Sequence, residues 1–155
     1  MGTRPDDPGR VVRPGDAILL SGSIGDHGVA ILSKREHLGF DTEIQSDSAA
    51  LHELVAAMVA ALPGIHCLRD PTRGGLATTL NELAAQSGVG MQISEAAIPV
   101  RPAVAAACEL LGLDPLYVAN EGKLVAICPA EDVEHVLAAM CAHPLGAAAA
   151  LIGTV

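Results

Sequence analysis

The fold can be inferred from the stretch Ile65-His-Cys-Leu-Arg-Asp-Pro-Thr-Arg-Gly-Gly75, which places a short apolar strand, a tight turn and two glycines ahead of a helix. Leucines at helical spacing follow it, and Gly88 ends the predicted helix. The same order occurs earlier, where the apolar run 16–21 leads through a glycine-rich turn into a helix near Gly28. Strands therefore alternate with helices, which predicts at least one sheet covered by helices.

The rest of the chain continues this alternation. Apolar residues recur at helical spacing from Leu51 to Leu62, and Ser46, Asp47 and Ser48 are expected to cap that helix. Pro102 and Glu131 are expected to begin two further helices. The remaining predicted strands cover residues 65–68, 89–93, 123–128 and 149–152.

The domain organisation follows from where this patterning begins. Residues 1–15 are rich in proline and glycine and have no hydrophobic periodicity, so they are predicted to be a linker. Residues 16–155 are predicted to form a single domain, since no internal repeat interrupts them.

Composition excludes several classes of protein. The 155 residues are 50% hydrophobic and only 17% charged, which excludes a disordered chain. A net charge of −9 and a single Tyr, a single Phe and no Trp argue against nucleic-acid or anionic-membrane binding. No apolar run is long enough for a transmembrane helix, and the start of the chain does not resemble a signal peptide. The four cysteines form no metal-site spacing and are expected to be reduced core thiols of a cytoplasmic protein.

The first candidate site is Ser21-Gly-Ser-Ile-Gly-Asp-His-Gly28, a glycine-rich turn that leads from a strand into a helix. Unpaired N–H groups and the helix dipole favour an anion at such a position. His27 is a candidate phosphate donor or proton shuttle. The alternative, which the sequence leaves open, is a turn in which Asp26 accepts the N–H bonds and His27 is a solvated surface residue.

The second candidate site is Arg69-Asp-Pro-Thr-Arg-Gly-Gly75. Two arginines beside two glycines at a helix start, in an otherwise acidic chain, favour anion binding, with Thr72 as an additional donor. The alternative is a local ion pair between Asp70 and one of the arginines.

The third candidate site is Asn120-Glu-Gly-Lys123, which precedes a predicted strand. Glu121 is a candidate general base, and Lys123 is expected to pair with it or with a phosphate. The alternative is a polar turn without a chemical role.

These motifs, in this order, resemble the C-terminal domain of the hydrogenase maturation factor HypE family. The resemblance extends through Cys108-Glu-Leu-Leu-Gly-Leu-Asp-Pro-Leu-Tyr-Val-Ala-Asn-Glu-Gly-Lys123 and His143-Pro-Leu-Gly146, and covers nearly the whole chain. It implies an α+β domain with a mixed β-sheet flanked by helices, like the C-terminal domain of aminoimidazole ribonucleotide synthetase.

The resemblance also implies a function. Members of this family use ATP to dehydrate a carbamoyl group, held as a thiocarboxamide on their own C-terminal cysteine, to a thiocyanate that supplies cyanide for nickel–iron hydrogenase. The implied catalytic residues are Glu121, as the base, and His27, whereas no metal ligand is expected in this chain. The implied nucleotide-binding residues are Asp26, Gly28, Asp70, Thr72, Arg73, Gly74, Gly75 and Asn120.

Members of the family are about twice as long as this chain, which limits the activity that the resemblance implies for it. Its N-terminal half supplies the main residues for ATP and magnesium, and its reactive cysteine lies in a C-terminal tail. We therefore expect this chain alone to be inactive. Its expected partners are other maturation proteins, namely a carbamoyltransferase and a scaffold–chaperone, and a homodimer through exposed apolar surface. The alternatives are a non-catalytic docking module and a superfamily member with another phosphate-bearing substrate.

Overall fold

The computed structural model describes residues 12–35 and 44–155. Within them the chain forms five strands and five α-helices, close to the predicted positions. The strands are β1 (Asp16–Leu20), β2 (Cys67–Arg69), β3 (Gln92–Ile93), β4 (Val125–Pro129) and β5 (Ala150–Thr154). The helices are α1 (Asp26–Arg35), α2 (His52–Ala61), α3 (Gly75–Ser87), α4 (Pro102–Leu111) and α5 (Val133–Cys141).

The strands form one sheet in the order β2-β4-β1-β5-β3. All four pairings are antiparallel, with Ile18 opposite Ile127 in the central pair. The α+β class is therefore confirmed. The expectation of a mixed sheet is wrong, because every pair of described strands is antiparallel. Strands β1, β2 and β3 run in one direction and β4 and β5 in the other, and every neighbouring pair joins one strand of each group, so no parallel pair arises among the described strands.

The sheet is covered on both faces, and the central strand β1 shows why. Its side chains alternate, so Ile18 and Leu20 point into one core and Leu19 into the other. On the first face α3 contributes three leucines to the core, and on the second face α2 and α5 pack against the sheet. A strand buried on both faces has an almost wholly apolar sequence, which is what residues 17–20 show.

The last residues of the predicted linker contact the domain. Val12 is fully buried in the core that α3 covers, and its N–H donates to the Ser87 hydroxyl at 3.3 Å. Gly15 N–H donates to Val155 O at 2.9 Å, so residues 12–15 pack as part of the domain. Residues 1–11 lie outside the described part of the chain.

The expected cap of α2 is also wrong. Leu51 occupies the N-cap position without a side-chain hydrogen bond, and Ser46, Asp47 and Ser48 lie upstream of it. Two of these polar residues contact other parts of the fold, as described below. Asn, Asp and Ser bind many backbone and side-chain partners, so their presence before a helix is a weak cap signal on its own.

The cysteines are free thiols with different surroundings. Cys108 and Cys128 are buried, Cys67 is half-buried and Cys141 is exposed, so the expectation of four core thiols is wrong for Cys141. Burial raises the pKa of Cys128 from 9.0 to about 11, with smaller contributions from Asp132 and Asp16. No helix of the described residues is long and apolar enough to span a membrane.

Candidate functional site

Asn120 brings the three candidate motifs together. Its side chain is fully buried, and its Oδ1 accepts the Gly25 N–H at 2.8 Å from the first motif. Its Nδ2 donates to Pro71 O in the second motif at 3.0 Å and to Val118 O at 3.1 Å. The three segments, distant in sequence, therefore form one continuous structure around a single amide. Asn120 acts from inside the fold, so its contribution to a site is to hold the loops.

The start of α3 is open to an external acceptor. Gly74 is the N-cap residue, with a φ of 76°, and supplies no side-chain cap. Gly75 N–H donates to Thr72 O at 3.1 Å, so the N–H groups that follow it are the ones left without a capping side chain for an anion to accept from. Thr72 lies half-buried and Arg73 exposed beside this helix start. The geometry fits a phosphate group.

Gly75 is required for the approach of α3 to the loop after α4. Its φ is 69°, and a Cβ at this position would lie 2.5 Å from Leu116 O and 2.8 Å from Val118 O. No side chain fits into this space, and the left-handed φ also favours glycine. The second glycine of the motif thus brings the helix start against the backbone that leads to Asn120.

The local ion pair considered for the second motif is not formed by Asp70. Arg69 pairs with Glu82 of α3 at 3.1 Å, with both side chains about half exposed. Asp70 and Arg73 are exposed, and neither pairs with another residue within 12–35 and 44–155. Arg73 is therefore available to an external anion.

The start of α1 differs from that of α3, because a carboxylate already occupies it. Asp26 is fully buried, and its Oδ2 accepts the Ser23 hydroxyl at 2.7 Å. Its Oδ1 lies 3.3 Å from Arg101 Nε, close enough for an ion pair but without hydrogen-bond alignment. A buried negative charge at this helix start disfavours a second anion there. The structure is therefore closer to the alternative of a turn capped by Asp26 than to a phosphate-binding loop. The Asp26 carboxylate accepts from the Ser23 hydroxyl, however, and not from backbone N–H groups.

The other two residues of the first motif have structural contacts. His27 is half-buried, and its Nδ1 lies 2.8 Å from the Ser46 hydroxyl. Gly28 N–H donates to Ala119 O at 3.1 Å, and a Cβ on Gly28 would lie 2.4 Å from a Val118 methyl carbon. Gly28 therefore permits the close packing of α1 against the segment before Asn120.

The third motif separates Glu121 from Lys123. Glu121 is exposed, and its carboxylate pairs with no basic side chain of the described residues. Lys123 is 8% exposed, and its ammonium donates to Asp47 Oδ2 instead of pairing with Glu121. The predicted pairing of Lys123 with Glu121 or with a phosphate is therefore not what the structure shows.

A cavity of about 430 Å³, lined by both polar and apolar residues, lies beside this ion pair. Its walls include Ser21, Ser23, Asp47, Arg101 and Lys123. Sequence reasoning missed Asp47 and Arg101, because Asp47 is 76 residues from its partner and Arg101 is 75 residues from Asp26. The only signal in the sequence was the polar triplet 46–48, which was interpreted as a helix cap.

Metal ligands are not assembled in this part of the chain. Over residues 12–35 and 44–155, no three His, Cys, Asp or Glu side chains are grouped so that they could hold a metal ion.

The chain matches a known protein family over almost its whole length. A profile of the family described as AIR synthase related protein, C-terminal domain, matches residues 13–155. The chain belongs to this family. The AIR synthase-related domain is 74% identical over 147 residues to a carbamoyl dehydratase HypE of Cupriavidus necator, covering 95% of this chain and 42% of that protein.

Solved structures agree with this assignment. The domain matches a hydrogenase maturation protein HypE in complex with ATP, with a TM-score of 0.90 and 55% identity, over 94% of this chain and 44% of that one. It matches a chain of a HypE–HypF complex with a TM-score of 0.90 and 46% identity, over 92% of this chain and 47% of that one. The AIR synthase-related domain thus spans less than half the length of the proteins it matches.

Proposed function

We propose that this domain is the C-terminal part of an ATP-dependent carbamoyl dehydratase that serves nickel–iron hydrogenase maturation. The observation that carries the proposal is the meeting of three motifs at Asn120, in a chain 74% identical to a protein named carbamoyl dehydratase HypE. The reaction converts a cysteine-bound thiocarboxamide, with ATP, to a thiocyanate, ADP and phosphate. ATP supplies the phosphoryl group that turns the amide oxygen into a leaving group.

The helix start of α3 is the proposed contact for nucleotide phosphate. No side chain caps the first turn of α3, although Gly75 N–H donates to Thr72 O at 3.1 Å, and Arg73 adds a cation that no described residue neutralises. Asp70 and Thr72 belong to the loop that precedes α3 and are proposed to lie beside the phosphate. Asp26, Gly28 and Asn120 are given a different role, because their contacts hold the loops in place.

Glu121 is the proposed general base. The amide nitrogen loses one proton when its oxygen is phosphorylated and a second when phosphate leaves. An exposed carboxylate can accept one proton in each step if it releases the first to solvent in between. Glu121 is exposed and unpaired at the end of a backbone segment that Asn120 fixes. His27 remains a proposed proton shuttle, oriented by Ser46.

The rest of the protein completes the proposed site. The described residues offer no cluster for magnesium, so we propose that magnesium enters with ATP on the part of the protein outside this domain. The proposed partners are a carbamoyltransferase and a scaffold–chaperone, and the proposed location is the cytoplasm. A HypE relative has been solved in complex with HypF, which supports a partner of this kind.

The test of the proposal is a chimera. Residues 13–155 replace the matching region of the Cupriavidus necator HypE, which keeps that protein's N-terminal part and C-terminal cysteine. With a carbamoylated cysteine and Mg-ATP, the chimera is expected to yield thiocyanate and ADP in equal amounts. A folded chimera that binds ATP but forms no thiocyanate would refute the proposal.

The nucleotide contact has its own test in the same chimera. Arg73→Ala removes the unpaired cation at the α3 start, and we expect ATP affinity to fall about tenfold, as is typical for a charge-assisted hydrogen bond. Arg35→Ala, an exposed arginine at the end of α1, is the matched control and should leave the affinity unchanged. Equal affinities of the two variants would exclude Arg73 from the nucleotide site.

A docking surface is the second candidate function, and one observation favours it. Leu110 of α4 and Tyr117 of the following loop are 75% and 61% exposed, which is unusual for large apolar side chains this close in sequence. Serine at both positions is expected to weaken binding of a maturation partner without changing ATP affinity. Partner binding that survives both substitutions would remove this candidate.

A further inference from the structure

Lys123 is a buried cation two residues from the proposed base. Its side chain is 10% exposed, and its Nζ donates to Asp47 Oδ2 and, at 3.4 Å, to Gly122 O. Asp47 is equally enclosed, with its side chain 8% exposed. A buried lysine is stable as a cation only while a carboxylate compensates it.

Close backbone packing fixes the position of this pair. A Cβ on Gly122 would lie 1.7 Å from Asp47 O, so the Asp47 loop rests directly on the backbone that follows Glu121. On the other side, the Lys123 Cε would lie 3.1 Å from a Cβ on Gly22. The lysine stem is therefore held between the turn after β1 and the loop that carries Asp47.

Among residues 12–35 and 44–155, the pairing of Lys123 with Asp47 leaves Glu121 without a neighbouring counter-ion. Were the ammonium beside Glu121, the opposite charge would favour the ionised carboxylate and weaken it as a base. Lys123 and Asp47 both line the cavity of about 430 Å³, so packing does not enclose the ammonium on that side. The ammonium therefore needs an anchor if it is to stay away from Glu121.

We propose that Asp47 is a positioning residue that holds the Lys123 ammonium inside the fold and so keeps the Glu121 carboxylate free to act as the base. The inference rests on the function proposed above. Asp47 acts through Lys123 and touches neither ATP nor the carboxamide. Asp47 pairs with the Lys123 ammonium and so prevents it from pairing with Glu121, two residues away.

The test compares four variants in the active chimera. Asp47→Asn releases the ammonium, and kcat is expected to fall about tenfold because the base becomes paired. Lys123→Met removes the cation itself, and kcat is expected to stay within about threefold. The double variant Asp47→Asn with Lys123→Met is expected to recover to the kcat of Lys123→Met. Asp47→Glu keeps the charge and should keep kcat within about threefold.

The control readouts separate this role from a structural one. KM for ATP is expected to stay unchanged in Asp47→Asn, because the α3 start is a separate contact, and melting temperatures are recorded for every variant. A double variant as slow as Asp47→Asn, or rates that follow the melting temperatures, would overturn the inference while leaving the proposed function intact. An unmutated chimera without activity would instead refute the proposed function.

Discussion

Replacing Asn120 by alanine tests whether one amide holds the three motifs together. The substitution removes three side-chain hydrogen bonds, of 2.8, 3.0 and 3.1 Å, and leaves the Gly25 N–H without its acceptor inside the fold. A hydrogen bond contributes about 1 kcal/mol net, so the three together amount to about 3 kcal/mol of unfolding free energy. That is a large fraction of the roughly 5–15 kcal/mol that a domain of this kind has in total.

The assay is urea unfolding followed by far-ultraviolet circular dichroism, because the chain has no Trp. Asn81→Ala is the matched control. Asn81 is exposed and donates only to Ala77 O of its own helix at 2.8 Å, so its loss is expected to change stability by less than about 0.5 kcal/mol. A loss of less than about 1 kcal/mol for Asn120→Ala, or equal losses for the two variants, would refute the role given to Asn120.

Further predictions concern glycine and the thiols. Gly75→Ala is expected to lower the free energy of unfolding by several kcal/mol more than Gly112→Ala. Both glycines have a positive φ, but only at Gly75 would the new Cβ lie within 3 Å of backbone atoms. Similar losses for the two variants in urea unfolding would contradict this. At pH 8 a thiol reagent is expected to modify Cys141 rapidly and Cys128 only after unfolding, with mass spectrometry of the modified peptides as the readout. Because the pKa of Cys128 is raised from 9.0 to about 11, its contribution to stability is complete below pH 9 and is lost as pH rises towards 11; a urea midpoint that stays constant over that range would contradict it.

The fold was largely predictable because its signals are local. The apolar run of β1 and the leucine spacing of α3 are each contained in one stretch of sequence, and Gly88 ends α3 with a left-handed φ of 64°. Strand direction was not predictable, because antiparallel pairing depends on which distant segments meet. The expected mixed sheet was wrong for that reason.

The sequence identified the three segments that meet at Asn120 but not the side-chain contacts that join them. The sequence places Asn120 in a polar turn, but nothing in the sequence shows that its side-chain amide forms hydrogen bonds with the backbone of Gly25 and Pro71. The two ion pairs that shape the region join Asp26 to Arg101 and Asp47 to Lys123 across more than seventy residues. Periodicity and spacing carry no information about such contacts.

The most direct test of the central claim is the rate of thiocyanate formation by the chimera with Glu121→Gln, compared with Glu131→Gln as a control at another exposed glutamate. Glu121→Gln is expected to lower kcat by about a hundredfold or more, as loss of a general base does, with ATP affinity retained. Glu131→Gln is expected to stay within about twofold of the parent. A Glu121→Gln chimera that forms thiocyanate at the parental rate would contradict the account.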